Sequence, residues 1–193
     1  MKFVLISVFT LTIVTATLAT DISPGKCPKT KPLQVPLYRP FDINKFLGTW
    51  YEIARTDVVF EKGLRCVQTN YKLDESTGNV IVNNSGVNYQ GELVSSVGMG
   101  KLTDKDNVLA VKFFPLSPSA QYWVVDTDYK NYALIVSCNA AYDFFHFSDA
   151  WILSRQPSLF PLTINTLEDG LKSIGFPKLS NQFTQRRQNC PSP

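Results

Sequence analysis

The strongest constraint in this chain is a rhythm. Eight short stretches read as strands: 50–55, 66–73, 80–84, about 92–102, 108–114, 122–127, 132–139 and 147–154. Turn signals such as "DESTGN", "TDKDN", "PLSPS" and "DYKN" separate them, and Gly, Pro, Asn and Asp clusters of this kind end strands. The connections are of hairpin scale and none carries a helical pattern. Such a succession pairs antiparallel and closes as an up-and-down barrel or folds as a sandwich. One helix follows over about 163–174, because Ile164, Leu167, Leu171 and Ile174 fall on one helical face. Thr163 is placed to cap its start, and Gly175 with Pro177 to end it.

Strand residues alternate between two faces. One face of the second strand carries Val67, Thr69 and Tyr71, and the third presents Val80, Val82 and Asn84 together. The fifth presents Leu109, Val111 and Phe113; the eighth presents Phe147, Asp149, Trp151, Leu153 and Arg155; the first presents Trp50, Glu52 and Ala54. This inner face is apolar apart from hydroxyls, Asn84 and two carboxylates. A solid core rarely buries two carboxylates, since an unpaired one costs several kcal/mol. An eight-stranded barrel is just wide enough to hold one small ligand, and a mostly apolar cavity with a few polar groups suits one. Glu52, Tyr71, Asn84, Phe113, Phe147, Asp149 and Trp151 are therefore the candidate ligand contacts.

The ends of the chain speak for an extracellular protein. Lys2 precedes an uncharged apolar run, 3–19, that closes in "TATLAT". Residues 1–19 read as a secretory signal peptide, with Thr17 and Ala19 suited to a cut after Ala19. A membrane anchor is the weaker reading, because the run is short and polar sequence follows at once. Residues 20–40 form a Pro- and Lys-rich arm, and 41–193 the barrel, the helix and a tail. Cys27, Cys66, Cys138 and Cys190 all follow the signal. Four cysteines in an oxidising compartment make two disulfides, in any of three pairings. Zinc is a poor alternative without a C-x-x-C and with His146 the one histidine, so no metal site is expected. The net charge of +3 includes Lys2, and the basic residues are scattered apart from Arg186–Arg187, which is no nucleic-acid footprint.

The chain resembles the lipocalins. Gly48-Thr49-Trp50 is similar to their G-x-W motif, Thr127-Asp128-Tyr129 to T-D-Y between strands six and seven, and Arg155 to the arginine that ends strand eight. Within the family it is most similar to the branch holding apolipoprotein D, insect bilin-binding proteins and Lazarillo-type proteins. "GKCP", "FDINKFLGTWYEIA", "PSAQYWVVDTDYKNYALIVSC", "DAWILSRQP" and "NCP" carry that likeness. The resemblance implies an eight-stranded up-and-down barrel with the helix packed outside, and disulfides Cys27–Cys138 and Cys66–Cys190. It also implies a secreted carrier of a hydrophobic ligand: a fatty acid, steroid or retinoid on one branch, a biliverdin-type tetrapyrrole on the other. No cofactor is required for folding.

In that topology all three motifs meet at one end, so Gly48, Trp50, Thr127, Asp128, Tyr129 and Arg155 are expected to close it, with a guanidinium over the indole. The other end collects 57–63, 84–88, 115–119 and 140–145, which bring Val58, Val59, Phe60, Leu116, Tyr142, Phe144 and Phe145. Clustered apolar loops imply contact with something: a lid over the ligand, a membrane or lipoprotein surface, a receptor, or a second copy in a homo-oligomer. No catalytic constellation assembles. His146 reads as a rim residue, and Gly98 and Gly100 as a strand bend or bulge. A lipocalin-type enzyme, the least favoured reading, would need a free inward thiol. Asn83-Asn84-Ser85 is an N-glycosylation sequon with Asn83 outward.

Overall fold

The computed structural model describes residues 22–25, 41–105, 107–114, 119–141, 144–176, 184–185 and 190. Its elements, in chain order, are β1 (Ile22–Pro24), α1 (Ile43–Phe46), β2 (Gly48–Arg55), β3 (Arg65–Asp74), β4 (Asn79–Val87), β5 (Leu93–Leu102), β6 (Val108–Lys112), β7 (Ala120–Thr127), β8 (Tyr132–Ala141), β9 (Phe145–Ser154), α2 (Pro161–Ser173) and β10 (Thr184–Gln185). A single 3₁₀ turn, Val59–Glu61, lies between β2 and β3.

Strands β2 to β9 each pair antiparallel with the next, and β9 pairs back onto β2. That closure makes an eight-stranded barrel without a free edge. Two short strands are added outside the sequence expectation. In the arm, β1 pairs with the start of β9, Ile22 opposite Phe147. The β2–β3 ladder stops at Tyr51 opposite Gln68, and beyond it β10 pairs with Ala54 and Arg55. The tail therefore takes the hydrogen-bonding edge of β2 that β3 leaves.

Local chemistry sets the turns. The carboxylate of Asp74 accepts from the Ser76 amide and from the Ser76 and Thr77 hydroxyls at 3.1, 2.6 and 2.7 Å, the usual role of Asp in a tight turn. Asp42 caps α1, accepting from the amides of Asn44 and Lys45. Helix α2 starts two residues before the expected position: Pro161 takes its first turn and Phe160 its cap position, without a side-chain cap bond. Proline's fixed φ suits that position and it has no N–H to leave unpaired, so Thr163 lies inside the helix and not at its cap. Gly175, at φ 89°, ends the helix in the left-handed region that glycine tolerates best.

The strands have two apolar faces. Inside, Phe46, Trp50, Tyr71, Val82, Leu109, Val111, Ile135, Trp151 and Leu153 form the barrel core. Outside, Ile164, Leu167 and Leu171 of α2 pack on Ile53, Ala54, Leu134, Val136, Ala150 and Ile152. Burying such side chains contributes about 1.5–3 kcal/mol each.

Strand β2 departs from simple alternation. Its register against β9 shifts between Glu52 and Ala54, and the extra residue of a bulge turns the strand over. Ala54 was expected inside; it packs under the helix, and Arg55 turns inward in its place. Gly98 and Gly100 do not mark a bulge. Strands β4 and β5 pair in unbroken register through both. The ring of Phe113 lies so close to Gly98 that a Cβ there would meet it at 2.8 Å. Close packing by a neighbour is the reason for a strand glycine at this position.

Candidate functional site

The barrel has a sealed end and a hollow end, and each is built from particular residues. At the sealed end the Arg155 guanidinium lies 3.7 Å from the centroid of the Trp50 ring. Its N–H groups donate to the carbonyls of Tyr129, Thr49, Lys45, Phe46 and Leu47 at 2.8–3.2 Å. Trp50 Nε1 donates to the Phe46 carbonyl at 2.8 Å. Phe46 stacks between Trp50 and Tyr71, with ring centroids 5.2 and 5.0 Å away. Gly48, at φ 95°, takes a conformation that costs any other residue about 1–2 kcal/mol.

The loop 127–132 supplies the rest. The Thr127 hydroxyl donates to the Tyr132 carbonyl at 2.7 Å and accepts from the Tyr129 amide at 2.9 Å. Asp128 accepts from the amides of Lys130, Asn131 and Tyr132. Partial burial works against its charge, but these bonds prevail and hold the carboxyl below the usual range. The Tyr129 hydroxyl accepts from the Asp42 amide at 3.0 Å, tying the loop to the cap of α1. The structure thus brings Gly48, Trp50, Thr127, Asp128, Tyr129 and Arg155 to one end.

Above this floor lies a cavity of about 120 Å³. Val82, Val111, Phe113, Leu153 and Trp151 give it apolar walls, and Tyr71, Tyr122, Glu61, Asn84 and Asp149 give it polar contacts. Five of the seven candidate ligand residues line it: Tyr71, Asn84, Phe113, Asp149 and Trp151. Glu52 and Phe147 do not. The Glu52 carboxylate accepts from Arg55 Nε at 2.9 Å in a buried ion pair, because the bulge that moves Ala54 out brings Arg55 in. Phe147 lies further toward the mouth, in edge contact with Phe145, ring centroids 5.9 Å apart.

Alternation did not find the charged group at the upper wall. Arg55 Nε also lies 3.2 Å from Glu61 Oε2, and its Nη2 donates to the Glu61 carbonyl at 2.8 Å. Trp151 Nε1 donates to Glu61 Oε2 at 3.3 Å. One guanidinium serves two carboxylates, all three side chains being at most 5% exposed. Glu61 comes from the 3₁₀ turn, which has no strand pattern to betray it. The one sequence signal was the Glu52–Arg55 spacing, which in an unbulged strand puts the two residues on opposite faces.

Tyr122 was also missed, although it shares a face with Val124. Its hydroxyl lies 2.7 Å from that of Tyr71. Burial, with the nearby Glu61 charge adding to it, pushes both phenols well above their ordinary range. Both stay protonated at any physiological pH. One proton bridges the pair, and the Thr69 side chain is a further hydrogen-bonding neighbour of Tyr71. Thr69 donates to Asn84 Oδ1 at 2.9 Å, orienting the Asn84 amide in the wall.

The mouth differs from the expectation in two respects. Val58 is buried in the barrel core and not exposed. His146 is buried on the outer face of β9, with Nδ1 3.0 Å from the Gly25 carbonyl; β1 covers it, so it is not a rim group. Phe60, Phe144 and Phe145 are exposed, as is Phe114, and Phe60 approaches Phe113 across the cavity opening. Leu116 and Tyr142 lie outside the described residues. Cys66 is joined to Cys190, and Cys138 is disulfide-bonded. Cys27 lies outside the described residues, as do most of the arm and the expected signal. Among the described residues no three His, Cys, Asp or Glu side chains gather as a metal site.

Comparison with known proteins adds three findings. Residues 41–185 match the family described as the lipocalin-like domain. The chain is 41% identical to apolipoprotein D of Mus musculus over 169 residues, which cover 86% of this chain and 85% of the mouse protein. It is 31% identical to the Lazarillo protein of Schistocerca americana over 157 residues, 78% of this chain and 71% of that protein. Among solved structures, insecticyanin from Manduca sexta matches with a TM-score of 0.69 and 29% identity, covering 88% of this chain and 90% of the other.

Proposed function

The chain belongs to the lipocalin family, and from that premise we propose that it is a secreted carrier of a small, uncharged hydrophobic ligand of steroid or retinoid type. The carrying observation is the pair of protonated hydroxyls, Tyr71 and Tyr122, set in an apolar cavity. Apolar walls supply affinity at about 25 cal/mol per Å² buried. The tyrosine pair offers its hydroxyls to orient a ligand carbonyl or hydroxyl.

The charge of the walls argues against the other two ligand classes. Glu61 and Asp149 both line the cavity. A fatty acid carboxylate or the propionates of a biliverdin-type tetrapyrrole would have to stay near the mouth to avoid them. Binding and release, without chemical change, fit this site: the described cysteines are in disulfides, and an isomerase of this fold would need one free.

The test is to extract the protein purified from its natural source and identify what it carries. A colourless protein that yields a neutral sterol or retinoid supports the reading. Absorption bands in the red and near-ultraviolet would replace it with a bilin, and an extracted free fatty acid would replace it with an anionic lipid.

The exposed Phe60, Phe114, Phe144 and Phe145 favour a second reading, in which the mouth docks on a membrane, lipoprotein or receptor. Strong liposome binding by a protein whose cavity is empty when purified would put that reading first.

A further inference from the structure

The outer face of β4 and β5 is apolar where α2 does not cover it. Val97 is 59% exposed and Met99 39%. They stand opposite Asn83 and Ile81 in the β4–β5 ladder, so these four side chains share one patch. Lys72 pairs with Ile81, and Lys112 with Met99, which bounds the patch with charge on two sides. Soluble proteins seldom leave such a face bare without a reason.

Asn83 is the asparagine of the Asn83-Asn84-Ser85 sequon. Alternation turns Asn84 into the cavity, where it lines the wall, and so turns Asn83 outward. The Oδ1 of Asn83 is buried and has no hydrogen-bond partner among the described residues. Asn83 as a whole is partly exposed, so with Oδ1 turned in, the Nδ2 end is the one toward solvent. That nitrogen is the atom an N-glycan is attached to.

We propose that Asn83 carries an N-linked glycan whose first sugars lie over Val97, Met99 and Ile81 and shield this strand face from self-association. Attachment precedes folding, so the pairing of β4 on both sides is no obstacle. What the fold must provide is an outward Asn83, and the neighbours it shares that face with, Val97 and Met99, are themselves exposed. The inference rests on the secretory part of the proposed function, because the modification belongs to that compartment.

The full chain secreted from insect cells tests it by intact mass and sedimentation. The mass is expected to exceed that of the signal-free, disulfide-bonded polypeptide by one N-glycan. The increment should be lost on endoglycosidase treatment and in S85A, which breaks the sequon without touching Asn83. Without the glycan, S85A should bind more of a hydrophobic dye and sediment faster as concentration rises, and S85A/V97K should return both to the glycosylated baseline. Secreted protein with the bare polypeptide mass overturns the proposal. So does a glycan whose removal changes neither dye binding nor sedimentation, since it shields nothing. Protein retained in the cells with residues 1–19 attached overturns the secretory reading and this inference with it.

Discussion

Two arginines mark the two regions of this barrel, and they are held in opposite ways. Arg155 at the sealed end is bound by backbone carbonyls and an indole face. Arg55 beside the cavity is bound by two carboxylates. Carbonyl dipoles accept a guanidinium without carrying charge, so the sealed end loses hydrogen bonds if its cation is removed but gains no naked anion. The cavity group is different. Its cation is the counter-charge for two buried anions, and each depends on it. The sealed end is therefore a structural closure tolerant of modest change, and the cavity wall is an electrostatic commitment.

The largest expected effect breaks the second region. R55M leaves Glu52 and Glu61 buried beside each other, and removing one partner of such a group costs about 3–5 kcal/mol. Urea denaturation should register it. The triple variant R55M/E52Q/E61Q should recover most of the loss, because amides need no counter-charge. If R55M alone is as stable as the wild type, the group is not the commitment described. R155M should cost less, about 1–3 kcal/mol, the range for unmade hydrogen bonds to buried groups. A larger loss for R155M than for R55M would reverse the comparison. G48A should cost about 1–2 kcal/mol, since alanine resists φ near 95° and its Cβ would stand 3.4 Å from Arg155 Nη1.

The smallest effect separates two carboxyls of the sealed end by pH. Burial raises Asp126 above the ordinary range, although Tyr132 donates to it. Asp128 is lowered, as its amide bonds outweigh partial burial. A lowered carboxyl stabilises the fold above its unfolded pKa, and that gain is lost as pH falls through the folded value. A raised carboxyl does the reverse: the folded state holds its proton more tightly, so stability is lost as pH rises from the unfolded to the folded pKa. The Tm deficit of D128N should therefore shrink on acidification below about pH 4, while D126N should gain on wild type as pH rises above about 4. Parallel curves for the two variants would contradict these opposite signs.

The sealed end was legible because its chemistry is written in short, contiguous runs. Gly48 and Trp50 open one strand, 127–129 form one turn, and Arg155 ends another strand; topology alone brings them together. Alternation also placed Tyr71, Asn84, Phe113, Asp149 and Trp151 on the inner face, since their strands keep register there. It failed at Ala54 and Arg55, where one inserted residue reverses the face and no residue type announces the bulge. It failed at Val58 and Glu61, which reach the interior from a loop and a 3₁₀ turn, where period two has no meaning. The strands β1 and β10 were unreadable because two or three residues carry no period.

The central claim is that the cavity binds an uncharged ligand through its apolar walls and the Tyr71–Tyr122 pair. Quenching of the Trp151 emission by retinol tests it most directly, with wild type and Y71F/Y122F titrated side by side and W151F as the control for the signal. The expected result is saturable 1:1 quenching that is absent in W151F, with affinity falling about fivefold to tenfold in the double variant, the worth of one neutral hydrogen bond. No saturable binding, or equal affinity after both hydroxyls are removed, would contradict it.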